Sequence, residues 1–276
     1  MTIAKNIPAF PNNRQTRDAI KNESLSKLLI HYTNWAVRYV ARRPRDISIE
    51  VETLIDSRIQ KFAPEINQFL EEVRKGEDLT PHLSLEPHTR GYTPNAAIKG
   101  IDTNKWADKD FMLIVMGYHH FHLGTKIESG GFTTRTDNLL FAHVSRDTFT
   151  VVGVFDHSVF DISRTPDGRM TAERERLWEA FESHATKDIP PGSIYVPAMI
   201  ATSGHSLHLL RLSAEYAHII YEIDSKIDDS NYIKDMYERA GITLPKKPKI
   251  EWHLNVLDLG LLDQNLNFFV LRQGPN

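Results

Sequence analysis

Five of the thirteen histidines lie between residues 110 and 160, and two of them form a His-x-His pair, His120 and His122. Residues two apart on a β-strand share a face, so these two imidazoles should point the same way as Tyr118, while His119 points away. Imidazole titrates near neutral pH and serves as a general acid, a general base or a metal ligand. We therefore expect the chemistry of the chain in this stretch.

Two further residues complete a set suited to cutting RNA without a metal ion. Arg135 precedes one apolar segment and His157 follows the next. Cleavage needs a base for the 2′-hydroxyl, an acid for the leaving oxygen and a cation beside the pentavalent phosphorane. The sequence thus predicts a metal-independent endoribonuclease without a cofactor. The predicted catalytic residues are His120, His122, Arg135, His157 and Tyr118.

A metal-dependent enzyme is an alternative interpretation, because neutral imidazoles bind zinc, iron or copper and a His-x-His pair supplies two neighbouring ligands. The ligand set would be His120, His122 and His157, with Asp156, His143 or Glu128 as other choices for the third ligand. The chain has no cysteine, so disulfides, zinc knuckles, iron–sulfur clusters and thiol nucleophiles are excluded. Any metal would rest on His, Asp and Glu.

A third interpretation is a non-enzymatic interaction or regulatory protein, with a protein partner or as a homo-oligomer. Histidines near strand ends more often form structural hydrogen bonds than they perform catalysis. Clustering of five histidines favours a site, yet residue types alone do not decide whether the side chains converge.

The histidines need a sheet to position them. The segment 111–116 is apolar on both alternating faces and predicts a central strand. Residues 138–144 and 149–155 predict two more strands, with a tight turn at 145–148. Three adjacent antiparallel strands are expected.

Apolar residues at helical spacing predict an amphipathic helix from Thr16 to just before Pro44, and a second from Ser48 to Gly76 that Pro64 bends or breaks. Residues 77–105 are polar and rich in proline, which predicts a long connection.

After the sheet, the pattern predicts a helix over 171–184, a strand at 194–200 and a long helix capped by Thr202 or Ser203. A short helix over 232–240 ends at Gly241. The alternation over 251–256 and the apolar segment 266–271 predict a C-terminal hairpin.

One stretch resembles the RelE/HigB-type toxin ribonucleases. The residues that carry the resemblance are His120-Phe121-His122-Leu123, Ser129-Gly130-Gly131, Arg135, Leu139-Leu140-Phe141-Ala142 and the segment 151–157. It covers about fifty residues. The lysine-rich ending usual in those toxins is replaced by Asp156-His157-Ser158-Val159-Phe160. The resemblance implies a small antiparallel sheet packed on helices, an RNA substrate and often an antitoxin partner.

The whole chain predicts an α+β fold, with an N-terminal helical layer packed on a central antiparallel sheet and with C-terminal helices and a hairpin. We divide it into a helical region with its long connection, 1–100, and an α+β region, 101–276, which can also form one continuous domain. The net charge of -3 and pI near 6.5 argue against broad phosphate-driven binding, but leave room for a local RNA site. Without a signal-peptide core or an apolar run of membrane length, we expect a cytoplasmic protein with no membrane partner.

Overall fold

The computed structural model describes residues 3–94, 106–161, 169–196 and 199–275. Within them the chain forms an α+β fold with eleven α-helices, a mixed four-stranded sheet and a three-stranded antiparallel sheet. The helices are α1 (Ile3–Asn6), α2 (Arg14–Lys21), α3 (Leu25–Ala36), α4 (Val51–Leu54), α5 (Ser57–Lys61), α6 (Ala63–Lys75), α7 (Glu86–Thr89), α8 (Phe111–Met116), α9 (Ala172–Thr186), α10 (Leu207–Asp224) and α11 (Ser230–Arg239). The strands are β1 (Asp46–Ile49), β2 (Tyr118–His122), β3 (Asn138–Val144), β4 (Thr148–Asp156), β5 (Ile250–Asn255), β6 (Asp258–Asp263) and β7 (Phe268–Gln273).

The chain folds into two compact units, each built from separate segments. Unit 1 comprises Met1–Tyr39, Glu86–Lys109 and Met199–Asn276, and unit 2 comprises Val40–Leu85 and Asp110–Ala198. The predicted α+β class is thus confirmed. Of the helices predicted before the sheet, α6 lies in unit 2, whereas α2 and α3 belong to unit 1.

Unit 2 contains the four-stranded sheet, in the order β1-β4-β3-β2. Strands β2, β3 and β4 are antiparallel neighbours, and β1 joins β4 in parallel. Phe69 of α6 packs on one face, with its ring 5.1 Å from that of Phe121. Leu177 and Phe181 of α9 pack on the other face, against Phe141 and its neighbours. The histidine-bearing strand is therefore held between two helical layers.

The predicted strand over residues 111–116 is wrong, because these residues form helix α8. Asp110 begins the helix, since its side chain accepts a hydrogen bond from the Leu113 amide at 3.0 Å. Gly117 ends it with φ +73°. A six-residue apolar run fits a buried strand and a buried helix equally well, so the two end residues decide between them. The third antiparallel strand is β2, which follows directly.

The predicted helix over 48–76, which Pro64 was expected to bend or break, is wrong at its beginning. Residues 46–49 form β1, whose pairing with β4 includes a hydrogen bond from the Asp46 amide to the Asp147 carbonyl at 2.9 Å. Three helices follow, and Pro64 lies in the first turn of α6, where its missing N–H costs nothing. The predicted end is correct, since Gly76 has φ +71°.

In unit 1, α3 packs against α10 through a core that includes Leu29, Tyr32, Tyr216 and Ile220. The C-terminal strands form an antiparallel sheet in the order β5-β6-β7, and α11 packs on it. The predicted C-terminal hairpin is therefore a three-stranded sheet, and its middle strand β6 was not predicted.

Three other predictions need correction. The first predicted helix is two helices, α2 and α3, separated at residues 22–24. Helix α10 begins at Leu207, after Ser206, so Thr202 and Ser203 do not cap it. In the predicted strand 194–200, residues 194–196 are not in a strand, 197–198 lie outside the described residues, and Ile200 forms an isolated bridge with Ser206.

The predicted connection over 77–105 contains a 3-10 turn at Thr80–His82 and helix α7, while 95–105 lie outside the described residues. Strands β3 and β4, their turn, and helix α9 are confirmed within about two residues. Among the helices that the structure describes, none combines the length and the apolar character needed to span a membrane.

Candidate functional site

Strand β2 displays its histidines on two faces of the sheet. The ring of His119 lies nearly parallel to that of Phe121, 6.1 Å away, on the α6 side. On the α9 side, the ring of His120 lies 5.6 Å from that of Phe141. His122 follows on this same face, at the end of the strand, where a loop can expose a side chain.

The main chain of Thr136 connects His122 to His157. The Thr136 amide donates a hydrogen bond to Nδ1 of His122 at 3.2 Å. The Thr136 carbonyl oxygen lies 3.3 Å from Nε2 of His157. The two imidazole rings are 5.9 Å apart, centroid to centroid. We call His122, His157, Thr136 and the preceding Arg135 the Thr136 site.

These hydrogen bonds fix which nitrogen of each neutral imidazole carries the proton. The amide of Thr136 can only donate, so Nδ1 of His122 accepts and its Nε2 carries hydrogen. The carbonyl of Thr136 can only accept, so Nε2 of His157 carries hydrogen and its Nδ1 holds the lone pair. The site therefore presents one imidazole as a donor and the other as a base.

His122 is buried, with 6% of its surface exposed. Burial, assisted by the positive charge of Arg135, lowers the pKa of His122 to about 4. Its own carbonyl oxygen lies 2.7 Å from Nδ1 of His82, whose ring is edge-on to Phe69. His157, in contrast, is exposed to solvent.

Arg135 is positioned by a short hairpin that begins after β2. The hairpin contains a β-bridge between Ile127 and Thr133. Nη1 of Arg135 donates to the Leu83 carbonyl at 2.7 Å, and its guanidinium lies 5.3 Å from the centre of the Phe132 ring. Burial lowers the pKa of Arg135, but a guanidinium stays charged at neutral pH. Its buried Nη2 has no hydrogen-bond partner among the described residues.

The remaining two predicted residues differ in their placement. His120 is half-buried beside the site, with its ring 5.0 Å from that of Phe160, which in turn lies 6.0 Å from His157. Tyr118 is fully buried at the other end of β2, four residues from His122 and so roughly 13 Å away along the strand. Burial raises the pKa of Tyr118, and its ring contacts Phe181. The structure therefore brings four of the five predicted residues together and leaves Tyr118 apart.

Metal binding finds no geometric support in the residues that the structure describes, where no three His, Asp or Glu side chains form a group that could hold an ion. Nδ1 of His122 is already a hydrogen-bond acceptor. The Asp156 carboxylate accepts from the Ser158 amide at 2.9 Å. His143 pairs with Tyr118 across β2 and β3, at the far end from His122.

A histidine–carboxylate pair in unit 2 was not predicted. Nδ1 of His184, on α9, lies 2.7 Å from the Glu50 carboxylate, and the His184 ring lies 5.4 Å from that of His143. Burial opposes ionisation of Glu50, but its bonds to His184 and Lys187 hold its pKa below the usual value. No sequence signal marks this pair, because its members are 134 residues apart.

Unit 1 contains a second unpredicted group of buried or half-buried polar residues, His31, Asn34, Asp108, Lys109 and His205. Nζ of Lys109 lies 2.8 Å from one oxygen of Asp108, and the rings of His31 and His205 are 5.8 Å apart. Burial and the charge of Lys109 lower the pKa of His31 to about 4 and that of His205 to about 3. The i, i+3 spacing of His31 and Asn34 on a helix was the one available signal.

Comparison of the chain with protein-family models, with curated proteins and with solved structures finds no match in any of the three. Only the geometry of its own residues bears on its function.

Proposed function

We propose that unit 2 is a metal-independent endoribonuclease and that the Thr136 site is its active centre. The observation that supports this most is that the amide and carbonyl of Thr136 engage different nitrogens of the two rings, so that the free nitrogen is a donor in His122 and an acceptor in His157. The rings of His157, an exposed base, and His122, a neutral donor, have their centres 5.9 Å apart. This pair suits a reaction in which one group removes a proton from an attacking hydroxyl and the other stabilises a phosphate oxygen.

In this proposal His157 is the general base. Its Nδ1 lone pair accepts the proton of a ribose 2′-hydroxyl, and the alkoxide oxygen attacks the neighbouring phosphorus. The P–O5′ bond breaks, which yields a 2′,3′-cyclic phosphate, and the leaving 5′-oxygen takes a proton from a water molecule to become a 5′-hydroxyl, while the His157 imidazolium returns its proton to solvent. The Thr136 carbonyl stabilises the imidazolium that forms, because it accepts a hydrogen bond from Nε2.

His122 and Arg135 act on the phosphate. With its pKa near 4, His122 is neutral at pH 7 and its Nε2–H donates a hydrogen bond to a phosphorane oxygen. Arg135 supplies positive charge, and a phosphate oxygen would satisfy its unpartnered Nη2 once the side chain moves toward the ligand. His120 and Phe160 provide rings at the edge of the site that a base can stack on.

The resemblance to RelE/HigB-type toxins remains part of the proposal. It implies a small antiparallel sheet packed on helices, and the arrangement of β2, β3 and β4 between α6 and α9 is compatible with that expectation. An antitoxin-like partner is proposed on the same basis alone.

The direct test is cleavage of a fluorescent RNA by the full chain in EDTA. We expect His157→Ala and His122→Ala to lower the rate by about 10²-fold or more, because each removes an acid–base or donor group. His119→Ala is the matched control, since this histidine lies on the same strand but on its opposite face. Equal rates for the wild type and both site variants, at unchanged melting temperature, would refute the proposal.

An interaction protein is the second candidate, favoured by exposed apolar residues at α4. Val51, Leu54 and Ile55 are 66%, 52% and 81% exposed. Adjacent exposed apolar residues are typical of protein contacts, and here the contact would be with a second copy of the chain. Light scattering over a concentration series tests this: a dimer that Leu54→Ser/Ile55→Ser dissociates supports it, and a monomer at every concentration contradicts it.

A further inference from the structure

A cavity of about 410 Å³ opens in unit 2 between the chain around α4, strand β4 and helix α9. It shares no lining residue with the Thr136 site. Its volume falls within the range of small-molecule sites. The floor is apolar and includes Val152 and Phe155 from β4 and Ala180 from α9.

Acidic residues outnumber basic residues in the lining of this cavity. Four carboxylates line it, against one guanidinium, and these residues are Glu50, Glu52, Asp56, Glu179 and Arg176. Lys187, which does not line the cavity, neutralises Glu50, and Arg176 neutralises Asp56. The uncompensated negative charge therefore lies at Glu52 and Glu179, where a cation would offset it.

Arg176 is already bonded on several sides. Its Nη1 lies 2.8 Å from the Asp56 carboxylate, and its other nitrogens contact Glu173 and the Val154 carbonyl. Its guanidinium also stacks on the Phe155 ring, with 3.9 Å between the guanidinium carbon and the ring centre. Arg176 is thus not available to bind an anion without loss of these contacts.

Apart from the hydroxyl of Thr53, which donates to the Val152 carbonyl, and that of Ser183, the remaining polar groups are hydrogen-bond acceptors. Glu50 accepts from Nδ1–H of His184, which leaves the lone pair on Nε2 of this imidazole. Glu52 and Glu179 are exposed, and neither carboxylate forms an ion pair with any residue that the structure describes. A complementary ligand must therefore donate hydrogen bonds and carry positive charge.

We infer that this cavity binds a small aliphatic cation, a diamine or an alkylguanidine, with its ammonium or guanidinium groups at Glu52 and Glu179 and its methylene chain on Val152 and Ala180. Charged groups at the mouth and an apolar floor match the two parts of such a molecule. The site is independent of the proposed ribonuclease reaction.

Agmatine, which has one guanidinium and one ammonium on a butyl chain, is the probe for isothermal titration calorimetry on the full chain. We expect one saturable site. Glu52→Gln/Glu179→Gln should weaken binding by about five- to tenfold, since two exposed ion pairs are lost. The matched control is Glu175→Gln/Glu182→Gln, which removes two exposed carboxylates of α9 that do not line the cavity and should change binding less than about twofold.

Two further measurements separate this site from nonspecific attraction. Ala180→Leu should abolish binding because the larger side chain fills the floor, while the melting temperature stays close to that of the wild type. The uncharged 1,4-butanediol should bind far more weakly than agmatine. Absence of saturable binding up to about 10 mM, equal affinity for butanediol, or equal losses in the cavity and control variants would each overturn the inference.

Discussion

His122 and His157 lie with their rings 5.9 Å apart, and both bond to the main chain of Thr136. The amide of this residue makes His122 a donor through Nε2, and its carbonyl makes His157 a base through Nδ1. Side-chain substitution at residue 136 cannot exchange these roles, because they are set by the peptide backbone. The positions of the hydrogen-bond donor and of the base are therefore fixed before any substrate binds.

The protonation of His122 is directly measurable. We expect nitrogen-15 NMR to show a neutral imidazole with hydrogen on Nε2 and a pKa of about 4. Arg135→Gln should raise this pKa, because it removes a positive charge that opposes protonation. Arg146→Gln, at the exposed β3–β4 turn, should leave it unchanged. A His122 that titrates near 6.5 in the wild type would contradict the described burial.

The hairpin that holds Arg135 depends on Gly124. A Cβ atom at this buried glycine would collide with the main-chain oxygen of Thr134. We expect Gly124→Ala to lower the free energy of unfolding by about 2–3 kcal/mol and to reduce RNA cleavage, because Arg135 is displaced.

Gly130→Ala provides the comparison in the same hairpin. Its Cβ would lie 3.8 Å from the nearest atom of the Phe132 ring, an ordinary contact. Urea unfolding should therefore shift by less than about 0.5 kcal/mol. Equal effects of the two substitutions would show that the close approach at Gly124 is unimportant.

Sequence signals correctly predicted the elements whose boundaries depend on contacts between residues close together in the chain. The turn between β3 and β4 and the glycine end of α6 involve contacts between near neighbours, and both are confirmed. Strand β1 could not be predicted in this way, since four residues gain their strand conformation from β4, about a hundred positions later. Helix α8 was misassigned because its composition suits either structure, and the capping by Asp110 outweighs the β-propensity.

The candidate site was predictable only as a set of residue types. Alternation on β2 indicated that His120 and His122 share a face, but it also included Tyr118, which the length of the strand places at the other end. The role of Thr136 comes from its main chain, which leaves no trace in residue identity. The pairing of Glu50 with His184 and the group around Lys109 depend on segments distant in sequence.

Unit 1 should lose stability in mild acid. His31 and His205 have pKa values lowered to about 4 and about 3 in the folded state. In the unfolded chain the pKa values of both histidines are near 6.5. Between the folded and the unfolded pKa values the unfolded chain binds more protons than the folded protein, so the free energy of unfolding falls as the pH decreases below about 6.5. Each histidine contributes roughly 1–2 kcal/mol of this loss between about pH 7 and pH 5.

Substitution of His205 tests this pH dependence. Between about pH 7 and pH 5, the free energy of unfolding of His205→Gln, measured with urea, should fall less than that of the wild type. The difference should be roughly 1–2 kcal/mol, the contribution of one histidine. His218→Gln is the control, because that side chain is 79% exposed on α10. Parallel pH profiles for the wild type and His205→Gln would show that His205 does not carry the effect.

An ion-pair network in unit 2 should also lose stability as the pH falls, but in stronger acid. Burial opposes ionisation of Glu173, but hydrogen bonds from Arg58 at 2.6 Å and from Arg176 lower its pKa to about 2. Because this folded-state pKa is depressed, the stabilisation is complete above the unfolded value near 4.5 and is lost as the pH falls toward 2.

We expect Glu173→Gln to cost about 2–3 kcal/mol at neutral pH, because two arginines lose a buried partner, and to cost progressively less in acid. Glu175→Gln, exposed on the same helix, should change stability by less than about 0.5 kcal/mol. Urea unfolding at several pH values measures both. A Glu173→Gln penalty that does not decrease in acid would contradict the assignment.

The reaction products test the proposed active centre most directly. RNA incubated with the full chain in EDTA should yield 2′,3′-cyclic phosphate and 5′-hydroxyl ends, identified by phosphorus-31 NMR and mass spectrometry. His157→Ala should release both at least about 10²-fold more slowly, whereas His119→Ala should release both at close to the wild-type rate. Fragments with 3′-hydroxyl and 5′-phosphate ends, or intact RNA in every sample, would contradict an acid–base ribonuclease built on His122 and His157.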